Sequence, residues 1–186
     1  MEKQNNLYKS LSGVALATVI LLLVPLFAMQ FTTEVNWSAG DFIIMGLLLF
    51  GTGTAMVVLT QLSKNIVYRI AMILAVGSTF LMIWANLAVG LIGAGPHAGN
   101  LMYMGVILVF IAGLYLSHFK ARGLELAMYA TVLSLVLLTA IAILANMQNY
   151  PGSSVQEIIA VNGFFIMPYL TSGLLFRHVT QQAAST

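Results

Sequence analysis

Apolar residues gather into six blocks of about twenty, each closed by a short polar or glycine-rich break. About twenty apolar residues is what a helix needs to cross roughly 30 Å of hydrocarbon. The pattern predicts transmembrane helices over residues 12–30, 42–62, 66–92, 101–117, 123–146 and 154–176. The breaks carry turn chemistry: Asn36-Trp37-Ser38-Ala39-Gly40 before Asp41, Ser63-Lys64-Asn65, a Gly/Pro/His loop from Gly93 to Asn100, and Tyr150-Pro151-Gly152-Ser153. A membrane β-barrel would alternate polar and apolar positions, and residues 19–26 do not alternate. The expected fold is all-α: one transmembrane domain over residues 1–186, a bundle of six helices, with short polar tails at about 1–11 and 177–186. The last stretch, 180–186, is expected to be disordered.

Composition narrows the class. With 60% hydrophobic and 6% charged residues, the chain lacks the polar surface a soluble domain of 186 residues needs. It has no cysteine, so neither a disulfide framework nor a thiolate metal site can form. A formal charge of +2 gives no reason to expect a nucleic-acid partner.

The placement of the charges says more than their sum. All seven basic residues, Lys3, Lys9, Lys64, Arg69, Lys120, Arg122 and Arg177, fall at breaks that six spans put on one side. Glu34, Asp41 and Glu157 fall on the other, so the positive-inside rule predicts both termini in the cytoplasm. Arg69, in the first turn of the third span, can reach the interface as an anchor. Trp37, Trp84, Tyr103 and Tyr150 are placed as an outer aromatic belt. A secretory signal is the rival for the first span, but the stretch exceeds a usual h-region and lacks a small residue two before Ala28.

Small residues four apart, Gly51 with Ala55 and Ala71 with Ala75, predict close helix approach. Gly51-Thr52-Gly53-Thr54 could kink the second span or line a narrow polar path. Spans two and three share a few identities with spans four and five, which hints at a duplicated hairpin without establishing one.

Chemistry-bearing residues are few. No carboxylate, lysine or arginine lies near the middle of a span, where the polar groups are hydroxyls such as Thr52, Thr54, Ser78, Thr79 and Ser134. That argues against a proton relay or a retinal Schiff base. At 1.5 Å per residue, Asn86 and Asn162 lie at one depth below the outer surface. With Trp84 beside them and Asp41, Asn100 and Glu157 at the rim, they could outline an outward-facing pocket for a small neutral or polar ligand. The competing expectation is that both amides bond neighbouring helices while Asp41 and Glu157 favour their helix N-termini.

His97, His118 and His178 show no metal-ligand or haem spacing, and His97 with Met102 and Met104 is only a weak soft-ion pattern. No nucleophile, zincin or P-loop motif appears, so no enzymatic activity and no cofactor is expected.

The segment Trp84-Ala85-Asn86-Leu87-Ala88-Val89-Gly90-Leu91-Ile92-Gly93, followed by Asn100-Leu101-Met102-Tyr103, resembles a group of small, uncharacterised multi-pass inner-membrane proteins of bacteria. The likeness runs from Asp41 through the sixth span, including Arg122-Gly123 and Asn162-Gly163-Phe164-Phe165; the N-terminal tail carries none of it. Acidic residues of that family's outer loop are replaced here by Gly95-Pro96-His97-Ala98-Gly99, so an anionic loop function does not transfer. The resemblance implies a bacterial inner membrane and supplies no activity. Two functions rank level, a small transporter, channel or binding protein and a non-catalytic membrane subunit or assembly factor, with a haem or quinone electron carrier third. The bilayer, a small ligand, and a protein partner or second copy of the chain are the expected partners.

Overall fold

The computed structural model describes residues 2–95 and 97–184, with side chains from Leu7 onward. The side chain of Lys3, Pro96 of the Gly/Pro/His loop, and Ser185 and Thr186 of the polar tail lie outside the described residues. Six α-helices follow one another: α1 Glu2–Phe31, α2 Ala39–Thr60, α3 Ile66–Ala88, α4 Ala98–Leu116, α5 Ala121–Leu144 and α6 Val155–Ala184, with a 3-10 turn at Met147–Asn149 before α6. Each is long and apolar enough to cross a membrane. Every predicted span has its helix.

Several boundaries differ from expectation: α1 already begins at Glu2, within the stretch expected as a polar tail, and two others shift for local reasons. The third span ends at Ala88 because Gly90 and Gly93 take the left-handed conformation (φ +80° and +69°), which closes a helix and starts a loop. At the other end of the chain, residues 180–184 continue α6 where disorder was expected. Thr180 Oγ1 bonds the Phe176 carbonyl at 3.0 Å, and Asn65 Nδ2 donates to Gln182 Oε1 at 3.4 Å.

The chain divides into two compact units, residues 1–61 and 62–186. The first is a hairpin of α1 and α2. Its polar connection ends in a capping box: Ser38 N donates to Asp41 Oδ2 at 2.7 Å and Asp41 N to Ser38 Oγ at 3.3 Å. Trp37 packs edge-on against Phe42 with ring centroids 5.2 Å apart, a staple across the same cap. α2 runs unbroken through Gly51-Thr52-Gly53-Thr54. A Cβ on Gly51 would meet nothing, whereas one on Gly53 would lie 2.6 Å from Val14, so Gly53 is the glycine that admits α1. α2, apolar along its whole length, buries none of its residues.

In the second unit, α6 packs along both α3 and α5, α5 also packs along α4, and α3 meets α4 only sparsely. Ile158, Asn162, Phe165, Tyr169, Ser172 and Phe176 make the buried stripe of α6, recurring at three and four residues. Ala71 and Ala75 are fully buried, in keeping with the close packing predicted for them.

Short bonds tie the helices at several heights. Ser172 Oγ donates to the Ala71 carbonyl at 2.8 Å, the Tyr169 and Thr79 hydroxyls are 2.7 Å apart, and Tyr68 donates to the Phe119 carbonyl at 2.9 Å. The basic residues of this unit sit at one end, Lys64 and Arg69 before and in α3, Lys120 and Arg122 between α4 and α5, and Arg177 late in α6. The loops 89–97 and 145–154 close the opposite end.

Candidate functional site at the loop end of the second unit

Asn100, in the first turn of α4, organises the loop before it. Its Oδ1 accepts from the backbone N–H of both Leu91 and Ile92 at 2.8 Å, and its Nδ2 donates to the Gly95 carbonyl at 3.1 Å. The neighbouring loop closes over this one. Ala94 N donates to the Pro151 carbonyl at 2.8 Å, and the rings of His97 and Tyr150 stack with centroids 4.7 Å apart. Gly99 leaves room for Met147, since a Cβ there would lie 2.9 Å from the Met147 sulfur.

Asn86 lies under this cap, near the end of α3. Its Nδ2 donates to the Asn100 carbonyl at 3.0 Å, while its Oδ1 is buried with no hydrogen-bond partner. Gln148 Oε1 and Ser153 Oγ, on the opposing loop, are also buried without partners. Buried acceptors are normally paired, so three at one end of the unit stand out. The Asn86 and Gln148 oxygens can only accept and the Ser153 hydroxyl can accept or donate, so the set suits a neutral or cationic hydrogen-bond donor.

The other predicted site residues are placed differently. Asn162 is spent within the core: Tyr103 Oη donates to its Oδ1 at 3.0 Å and its Nδ2 donates to the Ile158 carbonyl at 2.9 Å. No hydrogen bond joins it to Asn86. Trp84 is exposed on α3 and stacks on Phe80 with centroids 6.3 Å apart. Glu157 is exposed in the first turn of α6, where its backbone N–H donates to Ser154 Oγ at 3.1 Å. Asp41 belongs to the first unit and caps α2.

Tyr103 corrects an expectation, because it is fully buried and serves as a core bridge between α4 and α6 instead of an interfacial anchor. Replacing Asn162 with leucine keeps the volume but strands the Tyr103 hydroxyl, with an expected cost of about 1–3 kcal/mol. Adding Tyr103→Phe should recover part of that loss in denaturant unfolding. Full additivity of the two changes would mean the bond contributes nothing.

Gln148 and Ser153 escaped the sequence reading because polar residues in a loop carry no depth signal. Glu125 escaped it too. It is buried at 4% exposure one turn into α5 and paired with the mostly exposed Arg122 at 2.9 Å. The signal was present as an Arg-x-x-Glu spacing at the start of an apolar helix. Among the described residues no cluster of histidine and carboxylate side chains could hold a metal ion. Profiles of known protein families, curated proteins and solved structures were each compared with the chain, and none matches it.

Proposed function

We propose that this chain is a six-span integral protein of a bacterial inner membrane, with both termini in the cytoplasm, that binds a small neutral polar ligand at its outer end. The observation that carries the binding proposal is the divided state of Asn86, one half of its amide fixed on Asn100 and the other buried and unpaired, at the end of the unit whose facing loop carries two further unpaired oxygens. A small ligand offering an N–H or O–H donor to Asn86 Oδ1 supplies the partner that a buried acceptor normally has. The membrane placement is supported by six apolar helices and by the gathering of basic residues at one end of the second unit. The bacterial assignment rests on the family resemblance.

Topology has a clean test because the native chain lacks cysteine. Single cysteines at Ser63 and Ala98 are expected to react with an impermeant maleimide from opposite faces of oriented vesicles. Reaction from the same face would overturn the six-span orientation.

For the ligand, native mass spectrometry of protein gently extracted from its host should show a stoichiometric small molecule, depleted at least tenfold in Asn86→Ala. Equal retention by the variant would remove Asn86 from the site.

A non-catalytic subunit is the second reading, and one observation favours it. Core hydroxyls and amides in the second unit are largely consumed by internal bonds, Tyr169 with Thr79, Tyr103 with Asn162 and Thr131 with the Ala127 carbonyl, which leaves little for a polar path. A stoichiometric protein partner in the same spectra, with no small molecule, would select this reading.

A further inference from the structure

Midway along the second unit, α3 and α6 part to leave a groove of about 500 Å³, within the size range of small-molecule sites. Its α3 wall carries Ile73, Gly77 and Leu81 and its α6 wall Phe164, Met167 and Pro168. Met167 and Phe164 remain 70% and 62% exposed along the rim, so the groove opens sideways along its length.

Two oxygens border a lining that is almost wholly apolar. Pro168 has no N–H, so the Phe164 carbonyl, four residues before it, lacks the donor that continues an α-helix. Both residues line the groove, and a helix carbonyl points along the axis toward the residue four on, so the freed oxygen borders its α6 wall. Across from it, Ser78 also lines the groove, but its hydroxyl proton is committed to the Leu74 carbonyl at 2.7 Å. Ser78 therefore cannot satisfy Phe164 and adds a second acceptor. In hydrocarbon, a freed carbonyl must find a donor within the protein or from something bound to it.

We propose that the groove between α3 and α6 binds a long-chain alcohol, its apolar chain lying against Ile73, Gly77 and Met167 and its hydroxyl donating to the Phe164 carbonyl. The chemistry excludes the commoner occupants. A quinone or ester offers only acceptors to a site that already has two. A phospholipid acyl chain gains nothing here over any other apolar surface. A packed helix has its backbone donors engaged internally.

The full-length protein in phosphatidylcholine nanodiscs tests this with hexadecanol carrying a mid-chain diazirine as the photoprobe. Labelling is expected within residues 73–81 and 164–168, with hexadecanol competing at least tenfold better than its methyl ether, which has the same chain and no donor. Gly77→Leu fills the groove and should abolish labelling. Pro168→Ala restores an N–H to the Phe164 carbonyl without threatening the helix, so it should erase the preference for the alcohol over the ether. Equal competition by alcohol and ether in the native protein would overturn the proposal. So would a preference that survives Pro168→Ala, or labelling spread evenly over all helices.

Discussion

Replacing Asn100 with alanine is expected to destabilise the second unit more than removal of any other single polar side chain at its loop end. The side chain is 6% exposed, and its Oδ1 is the acceptor for two adjacent backbone N–H groups at Leu91 and Ile92, which are themselves 7% and 0% exposed. Alanine leaves both donors buried without an acceptor, at about 1–3 kcal/mol each, so the expected loss is about 2–6 kcal/mol. Mild SDS or thermal unfolding of the purified protein measures it, and hydrogen exchange at Leu91 and Ile92 should rise together. Asn100→Asp keeps an acceptor for the two N–H groups but loses the donor to Gly95, so it should fall between alanine and the native protein. Gly90→Ala should fail in the same way from the other partner. A Cβ there would sit 2.6 Å from Asn100 Nδ2, on a backbone at φ +80° that alanine adopts poorly. A loss below about 0.5 kcal/mol for Asn100→Ala, the size of an ordinary surface change, would mean that the loop is not organised by this residue.

That prediction marks where the sequence was readable and where it was not. Helix number and approximate extent could be read because each helix is written as one block of about twenty apolar residues, the length that a bilayer crossing takes. Asn100 was singled out for its place at the rim, yet its role in holding the preceding loop depends on Gly90, Gly93 and Gly95 turning the chain back over it. Glycine composition alone does not specify such a path. Asn86 and Asn162 were expected at one depth along their helices, but depth says nothing of azimuth. One faces the loop cap and the other faces α4, where Tyr103 takes it. In helices whose apolar residues run all the way round, periodicity no longer marks the buried side. The choice of partner among asparagines, tyrosines and small residues was therefore the least legible part of the chain.

The small residues show the same limit, and the second large effect follows from it. Gly51 was expected to seat a neighbour and meets nothing, whereas Gly113, on α4, lies where α5 comes closest: a Cβ on Gly113 would be 2.6 Å from Ala127 Cβ and 3.2 Å from Ala127 Cα. The obstacle is a backbone atom and a methyl group, neither of which can swing aside. Gly113→Leu is therefore expected to force α4 off α5, costing about 3 kcal/mol or more, at or above the top of the usual range for overpacking. The same substitution at Gly105, two turns earlier on the same helix, meets open space and should be neutral or slightly stabilising, because leucine is the better helix former by somewhat under 1 kcal/mol. The pair controls for hydrophobicity, helix and membrane insertion together, leaving only the contact with Ala127 to separate them. Unfolding of both variants in SDS gives the comparison. If Gly113→Leu is no less stable than Gly105→Leu, α4 and α5 do not pack through this glycine. If it is less stable by the expected margin, Ala127→Gly in the Gly113→Leu background should restore part of the loss by removing the methyl group that the new side chain strikes.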